Sequence, residues 1–208
     1  MDIKKLLKYA EYFCAIASDK NLSEILKNLS DLDTFAGRKK YAENNLDRIS
    51  SGSSRIVYDT GNDTVVKLAS NKKGIDQNES ESNIKGDSKY INKPIKHDRN
   101  YYWIEAPFAK KINEERFEEL VEIDFDTFGE CIDYACRFIS GNTDKNKPKK
   151  IDEVKKMDIF KDLVRIAKAN DLLGGDISRI SSFGERDGKV VLVDLGLNKE
   201  IFERFYED

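Results

Sequence analysis

Asp194 occupies a position where an acid needs a partner. It directly follows residues 189–193, a run that is apolar after its first residue and is typical of a buried strand. Burying a carboxylate is costly unless a cation or a metal ion pairs with it. Lys67 is a candidate cation, because it lies within a second strand-like run, residues 64–69. We predict that the two side chains converge on one crevice.

Three further acids belong to the candidate set. Asp176 follows a Gly-Gly pair in a segment with no clear periodicity, and Asp194 comes 18 positions later. The interval contains Asp-Gly at 187–188 between two predicted strands, which favours a type I′ hairpin turn. Glu79 and Glu81 lie on a predicted helix after the lysine strand, and residues two apart cannot share a helix face. The sequence leaves open which of the two glutamates is functional.

Histidine and cysteine chemistry is largely excluded. His97 is the single histidine and sits in a polar turn, which is a poor place for a buried general base. The cysteines are Cys14, Cys131 and Cys136, an odd number without a Cys-x-x-Cys pair. All three fall in helical patterns, so we expect reduced thiols that pack in a core.

Length and composition narrow the class of protein. The chain has 208 residues, with 39% apolar and 36% charged residues and a net charge of -3. These values allow one domain or one small two-lobed unit with a core. No run approaches the ~20 apolar residues of a membrane span, and the N-terminus has a helical pattern and not that of a signal peptide. The negative charge argues against nucleic-acid binding. We expect a cytoplasmic protein without membrane contact.

The apolar periodicity predicts helices at both ends and strands in between. The predicted helices are residues 3–17, a helix from 21, 31–45, 76–85, 113–121, a helix from 124 or 126 to 139, 157–169 and 201–205. The predicted strands are residues 55–58, 64–69, 94–96, 101–105 and a hairpin over 182–193. Residues 140–150 form a polar loop, and residues 170–182 are irregular.

This order of elements resembles the protein-kinase-like fold, and short motifs carry the resemblance over residues 46–196. The glycine-rich loop is matched by residues 51–57, the lysine strand by 65–68 and the hinge strand by 103–106. The catalytic loop is matched by residues 171–176 and the Asp-Phe-Gly motif by 193–196. The chain is most similar to small kinase-like proteins of phage and bacterial origin. The host cytoplasm or a virion would then be its location.

The resemblance implies a fold class and a domain organisation. It implies an α+β, minimal two-lobed protein-kinase-like fold with an N-terminal helical extension. The extension is residues 1–45, the small β-rich nucleotide-binding lobe is residues 46–110, and a truncated helical lobe is residues 111–208. The extension would brace the upper lobe or bind a protein partner.

The resemblance also implies ATP and Mg²⁺ as cofactors. Backbone N–H groups at Gly52, Ser53 and Ser54 would cover the phosphates. The backbone of Glu105 and Ala106 would bond the adenine edge.

The charged residues receive roles in phosphoryl transfer from the same resemblance. Lys67 would bind phosphate oxygens, and Glu81 or Glu79 would orient the lysine by a charge-assisted hydrogen bond. Asp176 would accept or orient the proton of the attacking hydroxyl. Asp194 would hold Mg²⁺, and Ser181 stands where a second metal ligand is expected.

Several departures from the family pattern keep alternatives open. The loop has one glycine, Gly174 stands where protein kinases have histidine, and Ser181 replaces asparagine. The 12 residues after Gly196 leave no room for the helices that dock a peptide substrate. One alternative is a phosphotransferase acting on a small molecule or a bound partner. Another is an inactive pseudokinase with a phage structural or regulatory role. A third is a helical adaptor without a cleft between Lys67 and Asp194.

Overall fold

A computed structural model describes residues 21–139 and 146–206, which adopt an α+β arrangement. Its helices are α1 (residues 21–31), α2 (Phe35–Asn45), α3 (Lys72–Ser82), α4 (Glu114–Val121), α5 (Phe125–Ile139), α6 (Ile151–Val154), α7 (Asp158–Asn170), α8 (Gly174–Ile177) and α9 (Lys199–Tyr206). Its strands are β1 (Asp47–Ser51), β2 (Arg55–Asp59), β3 (Thr64–Ala69), β4 (Lys96–His97), β5 (Trp103–Pro107), β6 (Lys110–Lys111), β7 (Phe183–Arg186) and β8 (Lys189–Leu192).

The larger sheet is antiparallel and has the order β1-β2-β3-β5-β4. Val57 and Ile104 lie opposite Lys67, whereas Tyr58 and Glu105 lie opposite Val66. Because side chains alternate along a strand, Lys67 and Val66 project from opposite faces. The register therefore decides which face carries the lysine.

Helices α1 and α2 cover the face that carries Val66. Apolar residues of α1 pack with Tyr58, Val66, Leu68 and Trp103 in one hydrophobic core. The indole N–H of Trp103 donates to the Ser30 hydroxyl at 2.9 Å. The described part of the N-terminal segment thus braces the sheet. The predicted helix 3–17 and Cys14 lie outside the described residues.

A second core joins α4, α5 and α7 to the small sheet β6-β7-β8. Its centre is a group of phenylalanines whose rings meet edge-on or tilted, namely Phe117, Phe125, Phe128 and Phe183. Cys131 and Cys136 are buried in the same core, as their helical pattern predicted. Burial raises the pKa of Cys131 to about 11 and that of Cys136 to about 12.

Local sequence signals fix several element boundaries. The hairpin β7–β8 turns at Asp187 and Gly188, whose φ values of 52° and 69° are both positive, as a type I′ turn requires. Asn113 caps α4 by accepting the N–H of Arg116, which confirms the predicted start of that helix. Asp124, one of the two predicted caps of α5, accepts the N–H of Thr127 at 2.8 Å.

Other predicted boundaries were wrong. Helix α3 begins at Lys72, four residues before the predicted start, because the Asn71 side chain accepts the N–H of Gly74 and caps it. The predicted strand over 94–96 is displaced to Lys96–His97. The segment predicted to be irregular contains α8 and a 3₁₀ turn at Ile180–Ser182. In the two described ranges, no helix is long and apolar enough to span a membrane.

Candidate functional site

Lys67 and Glu81 form a buried ion pair on the face of the larger sheet that is opposite to α1 and α2. The Lys67 ammonium donates to a Glu81 carboxylate oxygen and, at 2.5 Å, to the backbone carbonyl of Val193. Glu81 is fully buried, whereas Glu79 is exposed, so α3 presents Glu81 to the lysine. The contact with Val193 brings Lys67 to the residue that precedes Asp194.

Arg55 is a third charged member of this cluster, and our sequence analysis missed it. Its two terminal nitrogens donate to Glu81 and to Asp194, each at 2.6 Å. Arg55 lies opposite Ala69, two positions from Lys67 on β3, so both cations share one sheet face. The strand register could have revealed it, but the sequence alone does not give that register.

Asn78 is a second residue that was missed. It is fully buried on α3, and its side-chain amide donates to the carbonyls of Lys67, at 3.2 Å, and Tyr101, at 3.0 Å. Its oxygen lies 3.5 Å from an Arg55 nitrogen. Asn78 therefore links α3 to β3 and to the bend that precedes β5, close to Glu81 on the same helix.

Asp194 lies at the mouth of the cluster with a side chain that is 51% exposed. Its Oδ1 accepts from Arg55 and, at 3.4 Å, from the N–H of Gly196. Loss of solvent would raise the pKa of Asp194, but the charges of Arg55 and Lys67 outweigh this effect and lower it. Asp194 is thus held as a carboxylate.

Asp176 lies on α8, close enough to Asp194 for the two acids to influence each other. Burial raises the pKa of Asp176, and the charge of Asp194 adds to the rise against the opposing charge of Arg179. Arg179 lies 3.4 Å from the carboxylate. Ser181 has an exposed side chain, so it is not drawn into the cluster.

The turn at residues 52–54 is anchored to the start of α3. The Gly52 N–H donates to the Arg55 carbonyl at 2.8 Å, so it is already used within the hairpin. The Ser54 carbonyl accepts the N–H of Ser70 at 2.8 Å, and the Ser53 carbonyl accepts the Asn71 amide at 3.0 Å. The predicted phosphate-covering loop is therefore a short turn whose Gly52 N–H is not free.

Two glycines allow the parts of the cluster to approach. A Cβ on Gly74 would lie 2.1 Å from the Ser54 carbonyl oxygen, and one on Gly196 would lie 2.9 Å from the Gln77 carbonyl oxygen. Both distances are shorter than nonbonded atoms tolerate. Glycine at these positions brings the turn, α3 and the segment after Asp194 into contact.

The predicted adenine edge is already engaged within the sheet. The Glu105 carbonyl accepts the N–H of Ile95 at 2.8 Å, and Ala106 lies opposite Val65 in the ladder between β3 and β5. The Glu105 side chain points to the other face, where Thr64 donates to it at 2.9 Å. Any backbone contact with adenine would have to come from the chain after β5.

Among the described residues, Asp194 is the acid of the cluster that can offer an oxygen to a metal ion. In the described part of the chain, no three His, Cys, Asp or Glu side chains converge as a metal site. Asp194 Oδ2 accepts no hydrogen bond from the described residues, so one carboxylate oxygen is free. Mg²⁺ commonly binds one or two carboxylates together with substrate phosphates. The exposed Ser181 adds nothing to a second site.

No protein-family model matches the chain, and no curated protein matches it.

Proposed function

We propose that this protein binds ATP with Mg²⁺ in a crevice between the larger sheet and the β7–β8 hairpin, as a minimal two-lobed kinase-like protein. The observation that carries the proposal is the contact of Lys67 with both Glu81 and Val193. A cation from one sheet, an orienting glutamate from the next helix and the acid after a hairpin are the parts that phosphoryl transfer needs.

The sheet face around Lys67 has the character of a nucleotide site. Val57, Val65 and Ala106 share that face according to the strand register. Val65 and Ala106 are buried but belong to neither hydrophobic core. Apolar side chains beside a cation suit a flat base attached to charged phosphates. Adenine would lie against the half-buried Val57 of this face, with its phosphates toward Lys67.

Phosphoryl transfer assigns separate roles to the two acids. Asp194 would hold the metal through its free oxygen, and Asp176 would orient the hydroxyl that attacks the phosphate. A cavity of about 580 Å³ is lined in part by Phe125, Gly129 and Ser178, the last being two residues after Asp176. An acceptor molecule or a segment of a bound partner would occupy this cavity, although Lys67, Asp176 and Asp194 are not among its lining residues.

A catalytically inactive, kinase-like interaction protein is the second candidate. The ion pair between Arg55 and Asp194 favours this second candidate, because the arginine occupies one carboxylate oxygen of Asp194, the acid that would hold the metal. The anchored turn at residues 52–54 also leaves less backbone for the phosphates. In this case the protein would act through a partner, in a structural or regulatory role, and nucleotide would at most stabilise it.

Thermal unfolding tests nucleotide binding. ATP and Mg²⁺ at a hundredfold excess over Kd should stabilise the protein by about 2.7 kcal/mol. Lys67→Met should lose the shift. Lys72→Met, at an exposed lysine that begins α3, should keep it. An unchanged melting curve of the wild type at millimolar ATP would contradict the proposal.

A radiolabel assay separates the two candidates. Transfer of the γ-phosphate to an acceptor or to the protein itself, lost in Asp176→Asn, supports a phosphotransferase. Nucleotide binding without any transfer supports the inactive interaction protein.

A further inference from the structure

Arg55 brings a second positive charge to a site that already has one. It is 8% exposed and bridges Glu81 and Asp194 at 2.6 Å each. It starts β2 directly after the turn at residues 52–54, and that turn is tied to α3. The backbone of Arg55 is therefore held by the turn, and its side chain is held by the two carboxylates. The guanidinium lies on the same face of the sheet as Lys67.

Stability alone gives little reason for this arginine. Lys67 already pairs with Glu81, and the half-exposed Asp194 can be solvated by water. Buried ion pairs contribute little net stability compared with apolar residues of the same volume. The position of Arg55 is better explained by what it does for a ligand.

The summed charge of the four side chains indicates which kind of ligand Arg55 would serve. Arg55 and Lys67 together balance Glu81 and Asp194, so the four side chains sum to zero. Without Arg55 the sum would be −1, and the nearby Asp176 does not change it, because Arg179 lies 3.4 Å from that carboxylate and balances its charge. A polyphosphate would then be repelled unless a metal ion accompanied it. With Arg55 in place, the acids are already neutralised before any metal arrives.

We propose that Arg55 is a built-in cation of the site, so that the nucleotide triphosphate binds without a divalent metal ion. This inference rests on the proposed nucleotide site and specifies the form of its ligand. The planar guanidinium can turn one of its N–H groups from Asp194 to a phosphate oxygen while it keeps the contact with Glu81. Asp194 is then released for any metal that follows. Nucleotide binding and metal binding thereby become separate steps.

Isothermal titration of ATP in MgCl₂ and in EDTA tests this inference. The wild-type Kd in EDTA should stay within roughly tenfold of the value in MgCl₂, because a charged group replaces the metal contact. Arg55→Met should bind ATP in MgCl₂ but lose roughly ten- to a hundredfold in EDTA. Arg48→Met is the matched control, because Arg48 lies on β1 of the same sheet with an exposed side chain, and it should behave as the wild type.

The outcomes separate this inference from the proposed function. Wild-type binding that is seen in MgCl₂ and abolished by EDTA overturns the inference and leaves the nucleotide site standing. Arg55→Met that binds as well as the wild type in EDTA also overturns it. Absence of ATP binding under both conditions overturns the site and the inference together. Should Arg55→Met not fold, Arg55→Lys keeps the positive charge and should retain ATP binding in EDTA; loss of that binding in a folded Arg55→Lys variant overturns the inference.

Discussion

Arg55 and Asp194 are 139 residues apart in the chain, and their side chains form an ion pair of 2.6 Å. The same arginine also contacts Glu81, which in turn holds Lys67. The β2 strand, the β3 strand, α3 and the segment after β8 are therefore linked by one network of four charges.

Glu81 is the shared partner of both buried cations. Glu81→Gln should lower the free energy of unfolding by about 3–5 kcal/mol, because it leaves Lys67 and Arg55 without their common carboxylate. Glu79→Gln, at an exposed position on the same helix, should change it by less than about 0.5 kcal/mol. Urea denaturation of both variants measures the difference, and equal effects would show that the buried pair is not formed.

Gly74 is required by a close backbone contact. Gly74→Ala should lower the free energy of unfolding by roughly 1–3 kcal/mol, because the new Cβ would lie 2.1 Å from the Ser54 carbonyl oxygen. Gly175→Ala is the control, since a Cβ there meets nothing within 4 Å, and it should be neutral or stabilising by up to about 1 kcal/mol. Denaturation curves of the two variants decide; a tolerated Gly74→Ala would mean that the turn is not anchored to α3.

Asp176 should destabilise the folded state at neutral pH. Burial, together with the charge of Asp194, raises its pKa in the folded state above the usual value of 3.8. The unfolded protein then releases this proton at a lower pH than the folded protein, so stability is lost as the pH rises from the unfolded pKa through the folded pKa. Asp176→Asn should therefore be more stable than the wild type at pH 7.

The pH dependence of that difference is the decisive measurement. The advantage of Asp176→Asn should shrink as the pH falls through the folded-state pKa of Asp176, and it should vanish below about 4, where the carboxylic acid is protonated in both states. Urea denaturation between pH 3 and pH 7 follows it. A difference that does not vary with pH would show that the carboxylate is solvated and the effect has another origin.

Local chemistry in the sequence determined much of the framework. The Asp-Gly pair at 187–188 specified the hairpin turn because both residues tolerate positive φ. Alternation and periodicity identified β2, β3 and most of the helices as elements of an α+β protein. Asp194 stood out because it follows an apolar strand, and the structure gives it a cationic partner in Arg55. The roles of these residues toward ATP and Mg²⁺ stay predictions.

Only the tertiary structure decided which charged side chains form ion pairs with one another. The helix pattern could not choose between Glu79 and Glu81, because the choice depends on how α3 is rotated against β3. Nothing near Arg55 in the sequence marks it as buried, since its partners come from α3 and from the segment after β8. Turn and helix signals act over a few residues, whereas charge pairing depends on strand register and on close approaches such as that at Gly74. For this reason a lysine was anticipated at the site, and the arginine beside it was not.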